Sequence, residues 1–306
     1  MLSSKEVHEA SRTLRAGFHK AADKRRCFWH PRNPSSRLLN TRTGYLCDRD
    51  LLIADFDNSP QYEQLLSSAT AFDSYEREGH IRETVSAHFK YASLSHRWGN
   101  DEPLLRDIRG RVIYEMDLTD GLLKLQSFCS TACECGYLWA WSDTCCIDKD
   151  CTVELAKAIT SMFSWYRRSA PTIVHLADIF GTAMLSSSVC FKRGWTLQEL
   201  LAPRTVLFYT HDWSLYKECS SSNHKEDAIL LRELEDATGI AQRYLTNFDP
   251  GMDNARSRLH WASERRTTEP EDIVYSLFGI LNVYLPVIPG ESAENALGRL
   301  LAEIVT

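Results

Sequence analysis

The segment from Arg193 to Tyr209 places a glutamate, Glu199, four residues after a tryptophan, Trp195. Its letters, RGWTLQELLAPRTVLFY, predict a helix and then a strand, with Ala-Pro at the junction. At about 100° per residue the leucines of this helix form one apolar stripe, and Trp195 and Glu199 share the opposite face. A polar surface face is the simplest explanation of Glu199 alone. A tryptophan beside it needs a second packing surface or a ligand, and it would partly desolvate the carboxylate, which raises the pKa and suits acid–base or cation-stabilising chemistry.

Two further segments carry reactive side chains directly after predicted strands. HFKYASLSHRWG and YLWAWSDTCCID both contain a short buried-strand pattern followed by polar residues. In an open parallel sheet, ligands bind beyond the carboxyl ends of the strands. We therefore expect a site that combines Glu199 with the following candidates: Ser95, His96, Arg97, Trp98, Gly99, Asp143, Cys146, Asp148, Arg193 and Trp195.

Each candidate also has a purely structural interpretation. Ser95 and His96 either bind a ligand or cap the turn after their strand, and Trp98 is either a stacking surface or a core anchor. Arg193 pairs either with a phosphate or with an acidic neighbour. For the two aspartates after the second strand, local backbone hydrogen bonds are favoured over contact with a ligand. A nucleophilic Cys146 with His96 as its base is a further alternative.

The elements around these segments predict an α/β protein. Strand and helix patterns alternate from residue 88 to residue 209, which is typical of a parallel sheet covered by helices on both faces. Upstream, RLLNTRTGYLCD predicts a hairpin around Thr43-Gly44, and residues 55–83 predict a loop with irregular helix.

Three regions follow from these patterns. Residues 1–35 form a basic leader, residues 36–213 the α/β domain, and residues 214–306 a largely helical region packed on it. The last segment, ESAENALGRLLAEIVT, has no helix-stop signal, so we expect the chain to be part of a longer protein.

The composition is that of a globular protein, with 43% hydrophobic and 25% charged residues among 306. No apolar run approaches the roughly 18 residues that cross a bilayer, and the first residues lack the apolar core of a signal peptide. We therefore expect a cytoplasmic protein whose ten cysteines are reduced thiols. The run at Cys129, Cys133 and Cys135 lacks the second cysteine pair typical of structural zinc, so no metal is expected.

The net charge of −6 is distributed unevenly. The leader carries eight Lys or Arg and three Asp or Glu, a balance of +5, which leaves −11 on the remainder. A basic leader is either an interaction arm or a solvated, poorly ordered end, and the second interpretation is favoured. The acidic body gives no indication of nucleic-acid binding.

The motifs resemble those of a known family. YASLSHRWG, LWAWSDTCCID and RGWTLQELLAPRTVLFY resemble the three signature blocks of the fungal heterokaryon-incompatibility (HET) domain. RLLNTRTGYL resembles the lead-in to that domain, and ASERRTTEPEDIVYSLFGILNVYLPVIPGE resembles the segment that follows it, so the resemblance covers about residues 36–300. Lys149 departs from the family's pattern, which more often has Gln there.

This resemblance implies a fold and an activity. The HET domain is similar to the Toll/interleukin-1 receptor (TIR) domain, a flavodoxin-like parallel sheet flanked by helices. Several TIR domains hydrolyse NAD with a glutamate in a pattern close to W-C-x-x-E-L, and the segment from Trp195 to Leu200 has the same Trp-to-Glu spacing. The resemblance thus implies that Glu199 is the catalytic carboxylate of an NAD(P)+ glycohydrolase, which releases nicotinamide and ADP-ribose or a cyclic form. It implies NAD+ as substrate and no separate cofactor.

The same resemblance implies a biological role. HET domains act in fungal heterokaryon incompatibility, non-self recognition and programmed cell death, which implies homo-oligomerisation on activation and an upstream sensor protein or domain. The alternatives are a non-enzymatic TIR-like signalling and assembly module, or a nucleotide-binding sensor that does not cleave its ligand. The Trp-x₃-Glu spacing favours catalysis, since an assembly module has no need of it.

Overall fold

The computed structural model describes residues 37–68, 74–217 and 221–305, so the predicted basic leader, 1–35, lies outside the described residues. Within these ranges six strands form one sheet in the order β2-β1-β4-β3-β5-β6. The strands are β1 (Leu38–Asn40), β2 (Leu46–Cys47), β3 (Tyr91–His96), β4 (Trp139–Trp141), β5 (Thr172–His175) and β6 (Val206–Tyr209).

The predicted hairpin is confirmed. Strands β1 and β2 pair antiparallel, and β1 also pairs antiparallel with β4. Gly44 in the turn has φ +69°, a left-handed conformation that glycine adopts without steric cost. A Cβ at this position would also lie 2.6 Å from Cδ2 of Tyr114, so the turn admits only glycine without rearrangement.

The predicted parallel sheet is also confirmed. Strand β3 pairs parallel with β4 and with β5, and β5 pairs parallel with β6. In chain order these four strands lie 2-1-3-4, the beginning of the flavodoxin-like strand order. The order reverses between β3 and β5, so their carboxyl ends, His96 and His175, mark the point where ligands bind in such sheets.

Helices cover the sheet. In the described residues these are α1 (Arg49–Asp57), α2 (Pro60–Ser68), α3 (Ser74–His88), α4 (Leu105–Ile108), α5 (Asp120–Glu134), α6 (Thr152–Arg168), α7 (Thr196–Leu201), α8 (Ala228–Thr238), α9 (Gln242–Thr246), α10 (Ala255–Ser263), α11 (Asp272–Tyr275), α12 (Phe278–Leu281) and α13 (Ala293–Val305). The predicted helical C-terminal region is therefore observed. None of the helices in these ranges is long and apolar enough to span a membrane.

For residues 55–83 the predicted helix is confirmed, but it covers more of the segment than the predicted loop allowed. Helices α2 and α3 occupy most of that segment. Among the residues whose burial is described, each helix buries few apolar side chains, such as Leu65 in α2 and Ile81 and Val85 in α3, and most of the other residues are polar or charged. Because so few positions face the core, the apolar periodicity that identifies a helix is weak in this part of the sequence.

The short helix α7 is enclosed on all sides. It contacts β3 and α6 of the sheet domain and α9 and α12 of the C-terminal region. All six of its residues are buried, so the side opposite the leucine stripe is packed as well, as the tryptophan at position 195 led us to expect. Four neighbouring elements leave this helix no solvent face, and Glu199 is therefore a buried carboxyl group.

Candidate ligand-binding cleft at the carboxyl edge of the sheet

A cavity of about 1480 Å³ lies at the predicted edge of the sheet. Its walls come from the residues after β3 and β4, the first turns of α6, the segment leading into α7, and the C-terminal region. The polar and aromatic lining residues include Arg97, Trp98, Asp143, Lys149, Lys192, Arg193, Trp195, Glu199, Glu264, Arg265, Arg266, Glu269, Glu271 and Asp272. The segments after β3, after β4 and leading into α7 were all predicted to contribute to the site. The C-terminal region was not predicted to contribute.

Glu199 reaches this cleft from the buried helix α7. Its Oε2 accepts a hydrogen bond of 2.5 Å from Oγ of Ser95 at the end of β3. The pKa of Glu199 is raised to about 7, mainly by burial. The charge of Arg193 and the Ser95 hydrogen bond lower this pKa, and the nearby Asp143 raises it. A carboxyl group with a pKa near neutrality in a cleft is suited to acid–base or charge-stabilising chemistry.

The side chain of Arg193 is bonded to the end of β3. It lines the cleft, and its Nη1 donates a hydrogen bond to the backbone oxygen of His96 at the end of β3. Its positive charge favours the ionised form of Glu199. The sequence offered either an acidic neighbour or a phosphate as the partner of Arg193, and Glu199 is such an acidic neighbour. Because Arg193 also lines the cleft, its side chain is in a position to contact a phosphate as well.

Trp195 lies half-buried in the cleft wall. Its Nε1 donates a hydrogen bond of 2.8 Å to Oδ2 of Asp272, which also lines the cleft. Burial raises the pKa of Asp272 to about 6. Asp272 belongs to the C-terminal region, 77 residues further along the chain, in a run of acidic residues that carried no sequence signal for a site.

Trp98 is exposed to the cleft and does not anchor the core. It retains 43% of its accessible surface and lines the cavity. The ammonium of Lys149 lies over its ring, 3.2 Å from the ring centroid. This is cation–π geometry, so the exposed aromatic face attracts positive charge.

His96 and Gly99 lie beside the cleft and do not line it. Nε2 of His96 is 3.5 Å from Oε2 of Glu102, and burial lowers the pKa of His96. The backbone nitrogen of Gly99 donates a 2.6 Å hydrogen bond to Oε1 of the same glutamate. Glu102 thus organises the turn after β3, while Arg97 from this turn lines the cavity.

Cys146 and Asp148 likewise lie outside the lining. Cys146 is fully buried, which gives a substrate no access to its thiol, and its backbone oxygen accepts a 3.3 Å hydrogen bond from Nη1 of Arg37. Asp148 accepts a 3.1 Å hydrogen bond at Oδ1 from the backbone of Asp150, the local contact favoured from the sequence. Of the two aspartates, only Asp143 faces the cleft.

The C-terminal region is attached to the cleft by backbone pairing. Arg193 and Arg266 form a parallel β-bridge. The nitrogen of Gly194 donates to the oxygen of Arg266 at 2.9 Å, and the nitrogen of Arg266 donates to the oxygen of Lys192 at 2.8 Å. The segment after α10 is therefore an integral wall of the site.

Lys225 holds the far end of α7 from inside the protein. Its Nζ donates to the backbone oxygens of Leu200 at 2.5 Å and Pro203 at 2.8 Å, carbonyls that the end of the helix leaves without a helical partner. Burial lowers the pKa of Lys225 to about 7. An amino group donates these hydrogen bonds whether or not it is protonated, so Lys225 fixes the helix that carries Glu199.

Fold and cleft together define the class: an α/β protein of flavodoxin-like strand order with a cleft at its topological switch point. Residues 91–183 match the family Heterokaryon incompatibility protein (HET). The chain is also 37% identical over 228 residues to the vegetative incompatibility protein HET-E-1 of Podospora anserina. The chain is a heterokaryon incompatibility (HET) domain protein.

The comparisons differ in extent. The alignment with HET-E-1 covers 70% of this chain and 16% of that protein, so the chain corresponds to about a sixth of its relative. The family match ends at residue 183, before Arg193, Trp195 and Glu199. No solved structure matches the chain.

Proposed function

We propose that this cleft binds NAD(P)+ and that Glu199 promotes cleavage of the bond between nicotinamide and ribose. The observation that carries the proposal is the buried carboxyl group of Glu199, which has a pKa near 7, accepts a hydrogen bond from Ser95, and lines a cleft at the switch point of a parallel sheet. The resemblance of the Trp195-to-Glu199 spacing to that of NAD-hydrolysing TIR domains names the substrate.

The chemistry requires a negative charge more than it requires an acid. Nicotinamide leaves as a neutral base, so its departure needs no proton, while positive charge develops on the ribose as an oxocarbenium ion. A preorganised carboxylate in a cleft of low polarity stabilises such a cation more strongly than water does. In the proposed reaction Glu199 is therefore ionised, binds the ribose, and orients the attacking water.

Two tryptophans offer surfaces for the planar nicotinamide ring. Trp195 precedes Glu199 by four residues, and its indole is held by Asp272. The face of Trp98 is covered by the Lys149 ammonium, which repels a second cation. We therefore place the positively charged ring of the substrate on Trp195 and keep Trp98 for another part of the molecule.

The biological setting proposed is heterokaryon incompatibility, the process for which the family is named. The relative from Podospora anserina is a vegetative incompatibility protein. Loss of NAD+ would serve non-self recognition by killing the cell, with assembly of several copies as the activating step and a sensor protein or further domain as its trigger.

The test is release of nicotinamide from NAD+ and NADP+ by the purified chain, followed by chromatography at low and at high protein concentration. Wild type is expected to release nicotinamide, and Glu199→Gln is expected to lose at least a hundredfold in rate, as is typical when one preorganised electrostatic group is removed. Glu264→Gln is the matched control, because it removes an exposed carboxylate from the same cleft. Release that survives Glu199→Gln would contradict the assignment, and binding without release would favour a nucleotide sensor.

A Ser95→Ala variant is expected to shift the pH dependence of this activity. The rate requires ionised Glu199, so kcat/KM of wild type rises as pH increases through about 7. The Ser95 hydroxyl lowers the pKa of Glu199, so its removal moves the rise to higher pH, by about one unit for a hydrogen bond to a charged group. A pH–rate profile measures this shift, and a lower plateau at unchanged midpoint would contradict the proposed role of the hydroxyl.

A further inference from the structure

Two cationic side chains of the cleft have unused hydrogen-bond donors. Nζ of Lys149 and Nη2 of Arg265 are buried, and neither has a hydrogen-bond partner among residues 37–68, 74–217 and 221–305. Both residues line the cavity. Leaving a buried charged donor without a partner is costly, so native proteins retain such groups mainly where a ligand or water completes them.

Arg265 is fixed in place by the rest of its guanidinium. Nε donates to the backbone oxygen of Trp261 at 3.0 Å, and Nη1 donates to the oxygen of Arg193 at 2.9 Å and to Oγ1 of Thr196 at 3.1 Å. Only 7% of the residue is exposed, and burial lowers its pKa to about 10, so it stays charged at neutral pH. The remaining nitrogen, Nη2, is a preorganised donor.

Lys149 approaches the cleft from the loop after β4. Its ammonium contacts the face of Trp98, and none of its three donors is used. Burial lowers the pKa of Lys149, and the negative charges of Asp143 and Glu102 oppose that change. An aromatic face attracts a cation but accepts no conventional hydrogen bond, so the donors stay available to an anion entering the cavity.

We propose that Lys149 and Arg265 form an anion-binding subsite that takes the pyrophosphate of a dinucleotide substrate. One cation comes from the sheet domain and the other from the C-terminal region, on two separate segments of the cleft wall. The choice of pyrophosphate rests on the proposed function, whereas the requirement for an oxyanion rests only on the two donors. Arginine matches phosphate oxygens with its planar fork, and lysine acts as a point charge beside it.

The subsite would also orient the substrate relative to Glu199. Arg265 is bonded through Thr196 to the first turn of α7, which carries Glu199, so a phosphate at Arg265 would place the adjoining ribose toward the carboxyl group. Binding energy from the phosphates would then orient the bond that breaks. Without residues 263–290 the cleft would retain Glu199 but lose Arg265, and with it half of this subsite.

The experiment measures binding of inorganic pyrophosphate, and separately of ADP-ribose, to the full chain by calorimetry at two salt concentrations. Wild type is expected to bind both, more weakly at high salt. Lys149→Met removes the charge while keeping an unbranched side chain, and it is expected to weaken binding by about tenfold. Lys157→Met is the matched control, because this exposed lysine lies on α6 outside the cleft lining. Arg265→Lys keeps the charge and loses the fork, and a thermal melt establishes that this variant folds.

The outcomes separate this inference from the proposed activity. Absence of pyrophosphate binding by wild type, or equal affinity in wild type and Lys149→Met, overturns the subsite even if nicotinamide is released. Binding that depends on Lys149 supports it even if no nicotinamide is released, in which case the proposed activity fails alone. If Arg265→Lys does not fold, the comparison of Lys149→Met with Lys157→Met still decides.

Discussion

A Glu199→Gln variant is expected to melt at a higher temperature than wild type at pH 8 while losing nicotinamide release. The folded-state pKa of Glu199 is raised from 4.5 to about 7 by burial. The folded protein therefore holds this proton more tightly than the unfolded chain, and its stability falls as pH rises from about 4.5 to about 7. Each pKa unit corresponds to about 1.4 kcal/mol, so the ionised carboxylate costs up to about 3 kcal/mol above pH 7.

Glutamine removes this cost because it is neutral at every pH. Its amide oxygen still accepts the hydrogen bond from Ser95, but its new N–H donors need partners, which reduces the expected gain to about 1–2 kcal/mol. For a chain of this size that is a rise of about 2–3 °C in Tm at pH 8, whereas at pH 5 most of the charge cost is absent and the unpaired N–H donors are expected to lower Tm slightly. Thermal melts of the two proteins across that pH range measure it.

Glu154→Gln provides the contrasting control. Glu154 is also buried, but its carboxylate is paired with Arg37 at 2.6 Å and accepts a hydrogen bond from the backbone of Asp148 at 2.9 Å. Removing that charge leaves Arg37 without its partner and is expected to destabilise the protein. If Glu199→Gln lowers the melting temperature at pH 8, as Glu154→Gln is expected to do, then Glu199 is a structural carboxylate and its place in the proposed reaction is lost.

The sequence predicted the sheet because strong local signals mark it. Short apolar runs separated by amphipathic helices specify parallel strands, and the carboxyl ends of those strands bring Ser95, Asp143 and Arg193 to one edge. Glu199 was found for the same reason, since its spacing from Trp195 is local. The complete burial of its helix could not be predicted, because that burial depends on α9 and α12, which lie far along the chain.

The contribution of the C-terminal region to the cleft had no local signal. Asp272 and Arg265 resemble any charged residues of a surface helix or loop in the sequence, and only the β-bridge between Arg193 and Arg266 brings them to the site. The roles of His96 and Cys146 were equally hidden, because the proximity of His96 to Glu102 and the complete burial of Cys146 are properties of the folded environment. The roles of these residues depend on contacts between segments that are distant in the sequence, and the spacing of residues within one segment does not reveal such contacts.

A Gly194→Ala variant is expected to disrupt the cleft wall, because glycine allows the C-terminal segment to approach. A Cβ at position 194 would lie 2.5 Å from Cγ2 of Thr267, closer than carbon atoms can pack. The segment containing Arg266 must then move away from Gly194, which weakens the 2.9 Å backbone hydrogen bond between them. Such overpacking costs about 1–3 kcal/mol of stability. A shift of the wall beside Glu199 is expected to lower kcat/KM about tenfold, since catalysis is sensitive to small displacements.

Thr267→Ser in the same background is expected to restore both properties. Serine lacks the Cγ2 methyl that meets the new Cβ, but it keeps the hydroxyl that donates to the backbone oxygen of Glu269 at 2.7 Å. Thr268→Ser makes the same chemical change one residue further along, where no contact with Gly194 exists, so it should restore neither. Melting temperature and nicotinamide release of the single and double variants test the contact. Equal recovery from both serine substitutions would mean that the cleft wall is not held against Gly194 through Thr267.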